Sequence, residues 1–474
     1  MPPGEPTPSV PRRRAAVARP PAPHLFEVLD CQNPLRPPAR HSLAGLDEVL
    51  LCRGEERSAA REGAVLRLFI PDRYMSAVHA RLRREGNALR LEDAGSRNGT
   101  LLNGAPCAGT LLSDTDQIEV GHTELLFRAA APRAEGPADV DARELPGPLP
   151  ELVTLVAPLQ AELSRLPAIA LSSVPVIIHG ESGTGKELIA RALHRLSGRR
   201  GEFVAVNCGA IAETLVESLL FGHRKGAFSG AAEARPGLVR AADHGTLFLD
   251  EIADLPAASQ AALLRVLQEG EVLAVGDTRP VSVDVRLLAA THSDLEAAIG
   301  MHKFRADLFA RISGFTVRLP PLRWRREDLG ILVASLLRKI APDRAERISL
   351  TPEAGRALLR YRWPLNVREL EKCLAAAVVL AGAEPIDLMH LPPAVRRDAR
   401  DDEPPQGLLA ELVPAARVER SPLAPEDERR REELIALLRQ HRGNVAAVAR
   451  VMGKARMQVH RWVKRYELHL DDFR

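Results

Sequence analysis

Aromatic residues are scarce in this chain, with 3 Trp, 3 Tyr and 11 Phe among 474 residues. With Leu, Ala and Arg abundant, that scarcity points to a helix-rich soluble protein. Cysteine is sparse too. The five present (Cys31, Cys52, Cys107, Cys208 and Cys373) are odd in number and far apart. That spacing argues against a disulfide framework or a zinc site and for a reducing cytoplasm. No apolar run reaches the ~20 residues that a bilayer-spanning helix needs, so no membrane partner is expected. Arg12, Arg13 and Arg14 have no apolar stretch after them, which excludes a secretory signal. Nor is there an excess of one charge. The formal balance is +3, so any surface for nucleic acid must be local.

The length fits about three domains. Residues 1–24 are rich in Pro, Arg and Ala and read as a disordered tail. Over 25–130, short apolar runs such as Val65–Ile70 are split by the turn signals Asn98-Gly99 and Asn103-Gly104, the pattern of a small β-sandwich. Residues 131–149 read as a linker. Over 150–322, helical periodicity alternates with buried-strand runs at Val174–Ile178, Phe203–Val206, Thr246–Leu249 and Val285–Ala290. Such alternation implies a doubly wound α/β core. Residues 323–395 look purely helical, as a lid would. A charged, Pro-containing linker over 396–425 precedes a helical end over 426–474.

Within the α/β stretch, Gly180-Glu181-Ser182-Gly183-Thr184-Gly185-Lys186 follows a strand and opens a helix, the context a phosphate-binding loop requires. Glycines let backbone N–H groups converge on phosphates, the helix N-terminus adds positive field, and Lys186 reaches the β/γ oxygens. Glu187 stands where Ser or Thr is usual. Farther on, Thr246-Leu-Phe-Leu-Asp250-Glu251 is a buried strand ending in two carboxylates. Asp250 would hold Mg²⁺ through water, and Glu251 would polarise the water that attacks ATP. Between these motifs lies Gly226-Ala227-Phe228-Ser229-Gly230-Ala231. A hydrolytic core has no chemical use for a glycine-bounded hexapeptide carrying one Phe. Taken alone it is a flexible surface turn. In this position it suits a machine that pushes on a partner.

With its flanks Leu220–Lys225, that hexapeptide resembles the GAFTGA loop of sigma-54-dependent transcriptional activators, a family of AAA+ ATPases. The family also carries the GESGTGKE phosphate loop with the same glutamate, Glu187. The resemblance implies ATP and Mg²⁺ as cofactors and the RNA polymerase sigma-54 holoenzyme as partner of Gly226, Ala227, Phe228, Ser229, Gly230 and Ala231. It implies that Asn207 restrains the catalytic Glu251. It also implies that Arg305 and Arg311, in Phe304–Arg311, reach the neighbouring subunit's nucleotide, and that Arg368, in Trp363-Pro-Leu-Asn-Val-Arg368, touches the γ-phosphate. A site completed in trans requires a homo-oligomer, a dimer assembling to a hexameric or heptameric ring. Three positions depart from the family: His292 replaces the Asn of the first sensor, Leu365 replaces the Gly of WPGN, and Trp324 replaces a Glu.

Gly443–Tyr466 reads as helix, turn, helix without one acidic residue. Val459, Trp462, Val463 and Tyr466 form an apolar stripe. Lys454, Arg456, Gln458, Arg461, Lys464 and Arg465 are the candidates for phosphate and base contacts on enhancer DNA. The segment resembles the Fis-type helix-turn-helix that ends many such activators. At the other end, Phe69–Ala80, Asp93–Gly104 and Asp116–Gly121 resemble a forkhead-associated (FHA) domain. That resemblance implies a phosphothreonine-containing protein or peptide as ligand. Arg53 and Ser76 would bind phosphate, Arg97 and Asn98 would bind the peptide backbone, and His79 would support the loops. Cys52 and Ala77 replace a Gly and an Arg of that pattern. No receiver module is visible, so the input is expected from a Ser/Thr kinase system. The combined expectation is a cytoplasmic sigma-54-dependent regulator. The alternative is a DNA-binding regulator that acts without remodelling sigma-54.

Overall fold

The computed structural model describes residues 20–132, 136–145, 147–149, 151–227, 233–398, 434–441, 447–448 and 451–452. They fall into two compact units, split near Leu409.

The first unit begins with a β-sandwich. One sheet runs Asp139–Asp141, Ala39–Ser42, Ala22–Asp30, Thr123–Ala131, Gln117–Val120, Thr100–Leu102, Ala105–Pro106; the other runs Thr110–Leu111, Ala88–Asp93, Ala80–Glu85, Glu48–Arg53, Val65–Ile70, Ser58–Glu62. Alternating residues from both, including Leu25, Leu51, Leu68, Leu82, Leu91 and Ile118, interdigitate between the layers. The sandwich is wider than its sequence pattern. Its first strand begins at Ala22, and Asp139–Asp141, within the expected linker, pairs antiparallel with Ala39–Ser42. The reason is a partly buried charge network: His41 contacts both Glu27 (3.1 Å) and Asp139 (2.9 Å), and Arg61 binds Asp139 at 2.6 Å.

The α/β core is a five-stranded sheet in the order Phe203–Asn207, Thr246–Asp250, Arg286–Thr291, Val176–His179, Phe315–Arg318, parallel throughout. The three inner strands are buried on both faces and read as apolar runs; the edge strand Phe203–Asn207 is legible by its apolar run although only Val206 is buried. The fifth, Phe-Thr-Val-Arg, is half-buried at the edge and carries no such signal.

The lid follows with helices Leu329–Ile340, Pro352–Arg360, Asn366–Ala381 and Pro393–Asp398. Its core is shared. Phe26, Val28, Leu29, Cys31 and Leu126 of the sandwich belong to the same apolar cluster as Leu329, Val333, Leu358 and Leu374 of the lid. No local pattern signals this contact, because it joins segments about 300 residues apart.

In the second unit a helix covers 434–440, with Leu434, Leu438 and Val448 buried. Among the described residues, no helix is long and apolar enough to cross a membrane.

Candidate functional site

The strand Val176–His179 delivers the chain into the glycine loop. Gly180 N–H donates to Thr291 O at 3.1 Å on the neighbouring strand. Gly183 and Gly185 have φ of +78° and +104°, a region L side chains avoid. Gly183 needs its hydrogen for a second reason, because a Cβ there would collide with the Leu365 carbonyl of the lid. Gly185 opens the helix Lys186–Ser197. Lys186 is buried, and its Nζ donates to Gly180 O (3.0 Å) and Glu251 Oε1 (3.1 Å). Thr184 Oγ1 donates to Glu181 O at 2.8 Å. Glu187 does not join the loop. It faces out and pairs with Arg191 one turn on, at 2.6 Å.

The two carboxylates stand at the end of the strand Thr246–Asp250, second in the sheet. Glu251 takes a left-handed conformation, φ +52°, which costs of order 1–3 kcal/mol and recurs at functional sites. The turn aims its carboxylate at Lys186 and His292. His292 holds Glu251 Oε2 twice, through Nδ1 at 2.7 Å and backbone N–H at 3.2 Å. Burial alone would push Glu251 up; the His292 hydrogen bond and the Lys186 charge more than offset it, and the carboxyl sits below its usual range. Asp250 goes the other way: burial raises it, Lys186 lowers it and Glu251 adds repulsion.

In this structure Asn207 contacts Asp250. It pairs in register with Asp250 across parallel strands, and its Nδ2 donates to Asp250 Oδ2 at 3.4 Å. Its Oδ1 accepts from Ala210 N–H. The contacts to the Glu251 carboxylate here are made by His292 and Lys186. Among the described residues, no cluster of three or more acidic, His or Cys side chains could cage a metal. One strand-end carboxylate is the donor set of a Mg²⁺ that keeps waters and takes phosphate oxygens as its other ligands. Asp250, raised by its partial burial and further by the Glu251 charge, would be relieved by such an ion.

The lid grips the phosphate loop. Arg323 Nη1 donates to Glu181 Oε2 at 2.8 Å, and this pairing holds the Glu181 carboxyl below its usual range. Asn366, fully buried with φ +55°, donates to Glu181 Oε2 and Ser182 O and accepts from Leu322 N–H. Val367 N–H donates to Gly183 O at 3.0 Å, and Arg325 donates to Thr184 O at 2.9 Å. Arg368 reaches Ser182 Oγ at 3.4 Å. Local sequence assigns no role to Asn366, Arg323 or Arg325: Asn366 lies within Trp363–Arg368, and the two arginines carry no signal beyond their charge. Leu365 adopts φ −104°, which any residue tolerates; the strained positions are its neighbours Trp363 and Asn366. Trp324 lies under the Arg323 guanidinium, 5.1 Å from ring centroid to Cζ. Arg305 and Arg311 are exposed. Arg305 pairs with Asp307 at 2.7 Å, and Arg311 donates to Leu267 O at 2.9 Å.

The glycine-bounded loop falls in sequence between helices Glu213–Phe221 and Leu238–Ala241. Helix Glu213–Phe221 ends at Gly222 (φ +85°), and Gly222–His223 pairs antiparallel with Arg235–Pro236. Gly226 and Ala227 are described; Phe228, Ser229, Gly230 and Ala231 lie outside the described residues. A second hairpin, Glu271–Val272 with Val281–Ser282, was not foreseen. It is bound to the base of the first. Val275 N–H donates to Gly222 O, Arg224 N–H donates to Val275 O, and Arg224 pairs with Asp277 at 3.2 Å. Ala227 packs on Gly276.

On the sandwich, one group of loops gathers all four residues expected to bind phosphopeptide. Arg53 N–H donates to Ser76 O, Arg97 N–H to Ser76 Oγ (3.0 Å), and Asn98 Nδ2 to Tyr74 O (2.7 Å). Buried His79 ties the group together, accepting from Ser76 N–H at Nδ1 and donating to Gly99 O. Arg53, Arg97 and Asn98 remain exposed. The DNA-contact candidates Lys454, Arg456, Gln458, Arg461, Lys464 and Arg465 lie outside the described residues.

Four family profiles match along the chain: a Sigma-54 interaction domain over residues 153–318, an AAA+ ATPase lid domain over 323–408, an FHA domain over 61–121 and a Homeodomain-like domain over 425–469. The chain is similar to the Acetoin catabolism regulatory protein of Cupriavidus necator, 43% identical over 347 residues, 72% of this chain and 51% of that protein. It is similar to the Transcriptional regulatory protein ZraR of Escherichia coli, 42% identical over 300 residues, 63% of this chain and 65% of that one. The chain thus spans about half to two thirds of the length of these relatives. Among solved structures it is similar to NtrX from Brucella abortus in complex with ATP, 31% identical, TM-score 0.47, covering 68% of this chain and 70% of that chain.

Proposed function

We propose that this chain, which belongs to the sigma-54-dependent transcriptional regulators, hydrolyses ATP in a ring and uses the cycle to drive the Gly226–Ala231 loop against sigma-54 holoenzyme. The observation that carries the reading is the junction of Lys186, Glu251 and His292 at the end of the strand that precedes Glu251. Lys186 and Glu251 now pair with each other. Incoming β/γ phosphates would take Lys186, and Glu251, still oriented by His292, would be free to align the attacking water. Mg²⁺, when bound by Asp250 and the phosphates, supplies charge neutralisation. Glu181 and Ser182 meet the nucleotide from the loop, Arg368 from the lid. The exposed Arg305 and Arg311 fit the role of completing a neighbour's site, so assembly is part of catalysis.

The paired hairpins support the output side. A loop base hydrogen-bonded to a second hairpin gives movements of the core a route to the loop. The four clustered sandwich residues support phosphothreonine recognition as input, and the basic terminal segment supports enhancer binding. The test is transcription in vitro with sigma-54 holoenzyme, with and without ATP, alongside Glu251→Gln. ATP-dependent activation lost in the variant is expected. Activation that persists without sigma-54 would overturn the proposal and favour a regulator that acts only through DNA.

A further inference from the structure

Two glycines stand inside lid helices, where Gly is disfavoured relative to Ala. Gly330 lies in Leu329–Ile340 and Gly355 in Pro352–Arg360. Both have ordinary helical φ, so the helix itself does not require them. Both touch the sandwich. A Cβ on Gly330 would overlap the Val28 carbonyl, and one on Gly355 would overlap Cys31 Sγ. The surrounding contact is built to match. Arg128 and Glu327, both buried, form an ion pair across it, Arg356 pairs with Glu119 at 2.8 Å, and Leu350 N–H donates to Cys31 O at 2.7 Å.

We propose that the sandwich is docked on the lid as an intrachain regulatory contact, through which the phosphopeptide loops and the phosphate loop are energetically linked. The proposal rests on the phosphopeptide and ATP readings above. Contacts run continuously from one site to the other. Asn98 donates to Tyr74 O, and the Tyr74 ring stacks on His122 with centroids 3.7 Å apart. Asp72, in the same loop, accepts from His122 N–H at 2.6 Å and from Thr123 Oγ1 at 3.0 Å. His122 O accepts from Cys31 N–H at 2.9 Å, and Cys31 O accepts from the lid at Leu350. At its far side the lid holds Glu181, Ser182 and Gly183 through Arg323, Asn366 and Val367. A peptide backbone that claims the Asn98 amide withdraws it from Tyr74 and so acts on the stack next to the docking contact. Such a ligand discriminates docked from undocked states, which is what a shift in equilibrium requires.

The experiment uses the full chain and the variants Gly330→Ala and Gly355→Ala, each adding one methyl that a helix favours and the sandwich cannot accept. Affinity for a fluorescent ADP analogue is measured with and without a degenerate mixture of phosphothreonine peptides. In the native chain the peptides are expected to change ADP affinity about fivefold or more, the lower range of measured site-to-site coupling, and ADP must change peptide affinity by the same factor. In either variant both ligands still bind and the factor falls to one. Equal coupling in native and variant chains overturns the proposal, as does absence of coupling in a native chain that binds both. If no peptide binds, the phosphopeptide reading fails by itself. Docking is then judged on ADP affinity alone, where a change between native and variant chains supports it and equality overturns it.

Discussion

His292 Nδ1 lies 2.7 Å from Glu251 Oε2, and the His292 backbone N–H reaches the same oxygen at 3.2 Å. An ionised carboxylate only accepts, so the ring nitrogen is the donor. Imidazole therefore does at this site what an amide does elsewhere: it fixes the Glu251 carboxylate beside the phosphate loop.

That geometry predicts the effect of replacement. His292→Asn keeps a short donor and should retain hydrolysis. His292→Ala should lower kcat up to ~100-fold, the cost of misplacing a reacting group by about an ångström. The sign for pH follows from Glu251, whose carboxyl is held below its ordinary range: burial opposes this, while the His292 hydrogen bond and Lys186 charge bring it about. The resulting stabilisation is full above the ordinary carboxylate range and is lost as pH falls through the lowered value. The acid limb of a kcat profile should move to higher pH in His292→Ala. An unmoved limb would show that His292 does not tune this carboxylate.

Phe228 is the apolar member of the loop between the two nucleotide motifs. Phe228→Ala should spare ATP hydrolysis and abolish activated transcription, because the loop's base, fixed through Gly222, Arg224 and Val275, is untouched. Ser229 keeps the hydroxyl of the family's Thr and lacks one methyl, worth about 0.8 kcal/mol or less. Ser229→Thr should leave activation intact. Parallel measurement of phosphate release and transcript yield checks both; unchanged transcription in Phe228→Ala would remove the loop from the mechanism.

Glu119 and Glu124 are direct partners across two strands, and one lid residue, Arg356, neutralises the pair. Burial pushes fully buried Glu124 well above the ordinary carboxylate range, with Glu119 adding repulsion. A raised group contributes stability that is present below its unfolded pKa and lost as pH rises through the folded one. Glu124→Gln keeps the shape and an acceptor for Gln117, which now donates to Glu124 at 2.8 Å. The variant should match the native chain in mild acid and exceed it at alkaline pH by about 2–4 °C in Tm, what 1 kcal/mol is worth in a domain of this order of size. A variant less stable at every pH would refute the argument.

What was legible in the sequence was local. Gly180–Lys186 and Thr246–Glu251 each carry their chemistry in a few consecutive residues, set by strand and helix context. The loops of Arg53, Ser76, Arg97 and Asn98 were legible only through the resemblance to an FHA domain; the turn signals by themselves implied a β-sandwich. What escaped depends on contacts between distant segments. Asn207 was assigned to Glu251, but parallel register puts it beside Asp250. Glu187 follows Lys186 in sequence yet points outward, because a helix turns successive side chains by about 100°. Asn366 and Arg323 act only because the lid folds onto Glu181. Gly330 and Gly355 sit in segments that read as plain helix, with nothing in sequence to say what approaches them.

Arg311 offers the sharpest test of assembly. It is exposed, and its guanidinium donates to the Leu267 carbonyl, a contact that any neutral donor could replace. If Arg311 completes a neighbour's site, Arg311→Ala should lose about 10³-fold or more in hydrolysis, as arginine fingers do. Glu251→Gln should be inactive for a different reason, the loss of its own subunit's base. Mixed together, the two variants place an intact Glu251 of one subunit against an intact Arg311 of the next. Random mixing in equal amounts then restores roughly a quarter of the sites, since each ring interface is heterologous and needs one particular order of neighbours. A cis-acting arginine predicts no recovery at any ratio, because neither variant holds a complete site. Phosphate release across mixing ratios separates the two, and a flat, inactive series would place Arg311 outside the neighbour's site.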